Sequence, residues 1–111
     1  MARPKTQPRI LEHPESDAIT VQSLFEALAD PVRREIVRHL ADVGEHLSCG
    51  AFDLPVTRST MTHHFSVLRE AGLVRQYYAG TMKMNALRAD DLEARFPGLL
   101  PALLTAMDRE R

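Results

Sequence analysis

Apolar positions recur along this chain with two different periods. Val21, Leu24, Phe25 and Leu28 stand at i, i+3, i+4 and i+7, the spacing that gathers side chains on one helical face. Ser16 or Asp17 is available to cap that helix. In the next stretch, ALADPVRREIVRHLADVG, the stripe is Val32, Ile36, Leu40 and Val43. Asp30 is a good N-cap there. Pro31 suits the first helical position because its missing N–H has no partner at that point, and Gly44 ends the helix. Arg33, Arg34 and Arg38 lie away from much of the stripe and are expected to face solvent or a partner.

Ser48 can cap a brief helix over residues 49–53, and Pro55 forces the chain to turn. Thr57 then caps a longer helix to about Ala71, with Gly72 as its stop. Met61, Phe65 and Leu68 form its apolar side, with His64 and Val67 beside them. Its other face carries Arg58, Ser59, Thr62, His63, Ser66 and Arg69. Two short helices, a tight turn and a polar-faced helix make a helix-turn-helix pattern.

After Gly72 the period shortens. LVRQYYAGTMKMNALR reads as two alternating strands around a turn at Ala79-Gly80-Thr81, a two-stranded wing. ADDLEARF is a short helix. PGLLPALLTAMDRER is the last one, with Pro97 in a break and Pro101 in a first turn. Its leucines make it more apolar than one small core requires. The expected fold is mainly α with a small β-hairpin wing, a winged helix-turn-helix that dimerises through its terminal helices. Residues 1–15 are expected to be a flexible N-terminal arm, and residues 16–111 the domain.

Composition narrows the picture in three places. With 111 residues, the chain supports one domain with a modest core. Its one cysteine, Cys49, leaves no internal disulfide and no cysteine-rich zinc site. No apolar run approaches a membrane span, and the N-terminus lacks the apolar segment of a secretory signal. A cytoplasmic protein that meets no membrane is expected. The net charge is only −1, but its distribution is uneven. Residues 57–88 hold Arg58, Arg69, Arg75, Lys83 and Arg88 against one acid, Glu70. A positive block inside an otherwise acidic chain marks where a polyanion can dock.

The stretches ALADPVRREIVRHLA and TRSTMTHHFSVLREAGLVRQYYAG strongly resemble the ArsR/SmtB winged helix-turn-helix repressors of bacteria. The likeness runs from about Leu24 to Leu87 and matches a helix start, a recognition helix and a wing in order. It implies an α-helical core with a small β-wing, a homodimer, and binding to double-stranded DNA under the control of an effector. The chain departs from the family pattern twice. The segment before Thr57 is short, which clips the first helix of the motif. The wing tip, YYAGTMK, is less basic than usual.

A recognition helix lies in the major groove, where side chains from its first turns reach base edges. Arg58 can donate two hydrogen bonds to guanine O6 and N7. Ser59, Thr60, Thr62 and His63 can bond bases or phosphates, although Thr60 is equally suited to a buried, backbone-bonded place. Arg69, Arg75, Lys83 and Arg88 are candidates for phosphate contacts, which position the protein without reading sequence.

His63 and His64 are adjacent, so they project about 100° apart on a helix and cannot readily share an ion. His63 is expected on the DNA side and His64 near the core. The resemblance implies metal sites whose usual ligands are missing. Only Cys49 precedes Asp53-Leu54, Phe52 stands next to that aspartate, and no histidine follows His64. His46 and Cys49, at i and i+3, remain as weak candidates for nickel or zinc. Paired carboxylates, a phosphate loop and a nucleophile–base arrangement do not stand out, so an enzyme is rejected. The competing reading is a winged-helix protein-interaction module that has lost DNA binding.

Overall fold

The computed structural model describes residues 11–110. Most of the expected residues of the N-terminal arm, 1–10, lie outside that range, as does residue 111. The elements run α1 (Val21–Leu28), α2 (Pro31–Val43), β1 (Leu47–Ser48), a 3-10 turn (Cys49–Ala51), α3 (Arg58–Ala71), β2 (Val74–Ala79), β3 (Met82–Leu87), α4 (Ala89–Arg95) and α5 (Leu99–Arg109).

The helix boundaries follow local chemistry. Asp30 Oδ1 accepts from the backbone N–H groups of Val32 and Arg33, at 2.8 and 3.3 Å, and Pro31 opens α2. Thr57 Oγ1 accepts from Thr60 N–H at 3.2 Å and so opens α3. Gly72 closes α3 in the left-handed region, with Leu73 N–H reaching back to the Leu68 carbonyl. The sequence misplaced one start. Ser16–Ala18 is only a 3-10 turn, Ile19 is extended, and Thr20 caps α1 through Ser23 N–H. Ile19 leaves the helical path because its side chain is buried beneath Gly72.

The expected hairpin forms from β2 and β3, and β1, which the sequence pattern did not announce, joins it in a three-stranded antiparallel sheet in the order β1-β3-β2. β1 pairs Leu47 with Asn85 and Ser48 with Met84. Ser48 therefore spends its backbone on a strand, makes no side-chain cap, and only one 3-10 turn follows where a brief helix was expected. The Gly80-Thr81 loop joins β2 to β3, with Gly80 at φ +63° as a two-residue hairpin loop requires.

Ile36, Val37, Leu68 and Val74 are fully enclosed at the centre, and Phe65 meets Phe52 edge-to-face with ring centroids 5.2 Å apart. The α1 stripe buries only half of what its spacing suggests. Leu24 and Leu28 are inside, whereas Phe25 is 52% and Val21 39% exposed. Val43, at the end of the α2 stripe, is also exposed.

The three arginines of α2, expected to face solvent or a partner, each fold back onto acceptors within the chain, and Arg38 is buried. Arg33 Nε donates to the Ala27 carbonyl at 2.6 Å, and Arg34 Nη1 to the Leu28 carbonyl at 2.7 Å. The last carbonyls of a helix lack intrahelical partners and carry the negative end of its dipole, so both cations settle on the end of α1. Arg38 is buried and bonds Asp108 of α5 at 2.9 Å and Asp42 at 3.0 Å. Two residues of the expected arm, His13 and Pro14, touch the domain. His13 Nε2 accepts from Gln76 N–H at 2.9 Å on the free edge of β2, and the Pro14 carbonyl accepts from Arg88.

Candidate DNA-binding face

The start of α3 presents the side chains that sequence spacing placed there. Arg58, Ser59, Thr60, Thr62 and His63 are all exposed. Their local bonds limit what each can offer. The Thr57 hydroxyl donates to Thr60 Oγ1 at 2.9 Å and lies 3.2 Å from Ser59 Oγ, so three hydroxyls cluster at the helix start. Thr60 is thus outside, not buried. Thr62 Oγ1 donates to the Arg58 carbonyl at 3.0 Å, which leaves its lone pairs to accept. Arg58 is the first residue of the helix and has no ion-pair partner among the described residues.

The two histidines part company as expected. His63 points to solvent, and His64 is buried. Arg33 Nη1 lies 3.2 Å from His64 Nδ1. Arginine can only donate, so Nδ1 accepts and the ring proton sits on Nε2. The Arg33 guanidinium therefore joins the end of α1 to the middle of α3. This link was missed; its only sequence signal is an arginine three residues after the Asp30 cap.

The expected phosphate contacts do not gather on one face. Paired residues of adjacent strands share a face, and faces alternate along each strand. Arg75 pairs with Ala86, and Tyr78 with Lys83, so Arg75 and Lys83 lie on opposite sides of the wing. Lys83 shares the α3 side with Tyr78 and Gln76. Arg75 lies on the far side, above the Tyr77 ring. Arg69 turns inward to Gln76 at 2.6 Å. Arg88 is held by Asp91 at 2.9 Å and by Pro14. Arg69 and Arg88 are thus engaged within the fold, Arg69 by the buried Gln76 and Arg88 by the partly exposed Asp91. The face near α3 keeps Arg58 and Lys83.

The weak metal candidates have separate partners. His46 Nδ1 bonds the Tyr77 hydroxyl, and Cys49 Sγ accepts from Asn85 Nδ2 at 3.2 Å. Among the described residues no group of three or more His, Cys, Asp or Glu side chains is placed to hold a metal. The nickel or zinc site considered for His46 and Cys49 is not assembled in this arrangement.

Among the described residues, three groups are shifted from their usual range. The Arg88 hydrogen bond holds Asp91 low. Burial would raise Asp30, but the bonds from Val32 and Arg33 N–H outweigh it and lower its pKa. Burial lowers His13, and the charges of Arg88, Arg69 and Arg75 act the same way, against a bond from its ring to the Leu11 carbonyl. A histidine with a lowered folded pKa binds protons more readily when unfolded. Its contribution is complete above the ordinary histidine range and is lost as pH falls through that range. Denaturation midpoints should therefore drop between about pH 7.5 and 5, and His13→Ala should flatten that part of the profile. An unchanged slope in the variant would show that His13 does not couple.

The Helix-turn-helix domain family matches residues 28–77, which spans α2, α3 and most of β2. The chain is 37% identical over 89 residues to the uncharacterized HTH-type transcriptional regulator YceK of Bacillus subtilis (strain 168), covering 78% of this chain and 88% of that protein. It is 39% identical over 88 residues to the HTH-type transcriptional regulator CmtR of Mycobacterium tuberculosis, covering 79% and 74%. An ArsR-like transcriptional regulator from Rhodococcus sp. RHA1 shares its fold at 27% identity and TM-score 0.57, over 80% of this chain and 83% of that one. The chain belongs to the ArsR family. It is a DNA-binding transcriptional regulator and not an enzyme. A second ArsR-family structure, RHA00566, has TM-score 0.60 at 21% identity, over 80% of this chain and 92% of that one, and supports the fold. Among the described residues of this ArsR-family regulator, no helix is long and apolar enough to cross a membrane.

Proposed function

We propose that this ArsR-family regulator acts in the cytoplasm as a homodimeric repressor that reads an inverted-repeat operator through α3. The exposed row Arg58, Ser59, Thr62 and His63 on one helix carries that reading. An α-helix fits the major groove, and this row supplies both a bidentate donor and several acceptors. Lys83, on the α3 side of the wing, adds a phosphate contact.

The dimer reading is supported by apolar surface on α1 and α5. Phe25, Leu103, Ala106 and Met107 line one groove between these helices, with Arg34 and Glu110 at its rim. A second copy docked there through a two-fold axis would set two α3 helices about 34 Å apart, one turn of DNA.

Selection from a randomised DNA pool tests the operator reading. An enriched inverted repeat is expected. Enrichment of no sequence would favour a protein-interaction module instead. Sedimentation should give a dimer at micromolar concentration, and Phe25→Glu should give a folded monomer. A wild-type monomer would refute the assembly.

A further inference from the structure

A row of polar side chains leaves the last turn of α3 and runs into the core. Arg69 Nη1 donates to Gln76 Oε1 at 2.6 Å. Gln76 Nε2 donates to Asn85 Oδ1 at 2.8 Å. Asn85 Nδ2 donates to the Leu47 carbonyl and to Cys49 Sγ, both at 3.2 Å. Gln76 is 2% exposed and Asn85 is wholly enclosed.

Every bond in this row has one permitted direction. Arginine only donates, so Gln76 must turn its oxygen to Arg69. Its amide nitrogen is then left for the Asn85 oxygen. The Asn85 nitrogen is left for Leu47 and Cys49. Neither amide can flip without placing donor against donor. The row also ties the last turn of the recognition helix to the segment that precedes that helix. Arg69 sits in its last turn, and Leu47–Cys49 begins the segment that leads to its Thr57 cap. Between them lie the two long strands of the wing.

Two buried amides are a poor choice for stability alone. Burying them costs free energy that their bonds only offset; apolar side chains of similar size would avoid that cost for the Gln76–Asn85 bond itself, with loss of the bonds to Arg69 and the Leu47 carbonyl. What the amides add is orientation.

We propose that Gln76 and Asn85 are positioning residues for operator recognition. Through Arg69 they fix α3 against the wing, so that both meet DNA at one angle. This rests on the operator reading above. A looser angle still permits contact with phosphates, which are alike along any duplex. It spoils base contacts, which need fixed geometry.

The experiment measures affinity for the selected operator and for a scrambled duplex, by fluorescence anisotropy over a range of salt. The Gln76→Leu/Asn85→Leu double variant should stay folded by circular dichroism. Its preference for operator over scrambled DNA should fall about tenfold or more, with the salt slope on scrambled DNA unchanged. Arg69→Leu, which cuts the row at a half-buried helix position, should show the same signature. A folded double variant with undiminished preference overturns the proposal. Should the double variant fail to fold, Arg69→Leu decides. If it weakens all sequences equally and lowers the salt slope by about one, Arg69 is a phosphate contact and the proposal fails. An unchanged Arg69→Leu overturns it as well. A wild-type protein without sequence preference overturns the operator reading itself, and is seen before any variant is measured.

Discussion

Gly72→Ala should destabilise the fold by about 2–5 kcal/mol, a large share of the ~5–15 kcal/mol that holds a domain of this size. Gly72 has φ +89°, a region that costs a residue with a Cβ about 1–2 kcal/mol. The remainder comes from packing. An added Cβ would lie 2.5 Å from Ile19 Cγ1 and 2.6 Å from its Cδ1. Ile19 cannot swing aside easily, because it is β-branched and 1% exposed. Forcing a methyl into such a core costs about 1–3 kcal/mol more. Gly44 and Gly98 provide the control. Both have positive φ, but an added Cβ there meets nothing within 4 Å. Their alanine variants should show only the backbone part. Urea denaturation of the three variants separates the two contributions. If Gly72→Ala costs no more than Gly44→Ala, the Ile19 contact is soft and the close approach has no consequence.

That contact also illustrates what sequence reasoning reaches and where it stops. Gly72 was legible as a helix stop, since the apolar period of α3 ends there and a strand pattern follows. The residue pressed against it was not, because Ile19 lies 53 positions earlier and nothing local links the two. The same division runs through the molecule. Asp30, Pro31, Gly44 and Thr57 announce helix ends by their own chemistry, and the structure places them in those roles. The exposed face of α3 follows from period alone, because a helix with one apolar side has one outward side. β1 escaped notice because two residues carry no alternation. The long cations were misplaced for a different reason. An arginine on a polar face can extend into solvent or fold back onto any acceptor within reach. Arg33, Arg34, Arg38, Arg69 and Arg88 all found such acceptors, and the positive block between residues 57 and 88 therefore overstates the charge offered to DNA. The Gln76–Asn85 pair did leave a trace. Both stand among inward-facing positions of alternating strands, where a polar residue signals either a slip in register or a buried bond.

Arg58→Ala should produce the largest loss in operator affinity. Arg58 opens α3 on the side away from the core, and no acid among the described residues is ion-paired with it. Its guanidinium is therefore available for a planar, two-bond contact with guanine O6 and N7. Each such contact is worth about 1–3 kcal/mol of discrimination against the wrong base. A dimer on an inverted repeat carries two copies at well-separated sites, whose effects add, so the specific complex should weaken by about 2–6 kcal/mol. Binding to scrambled DNA should fall far less, since only one positive charge per protomer is removed. The base preference should relax at one position in each half-site and nowhere else. Lys83→Ala gives the opposite pattern: a uniform loss across sequences, with a salt slope reduced by about one per contact. Titrating both variants against single-base changes of the operator tells these roles apart. If Arg58→Ala keeps the full pattern of preferences and binds every sequence a little more weakly, Arg58 holds a phosphate, and the reading of bases passes to Ser59, Thr62 and His63.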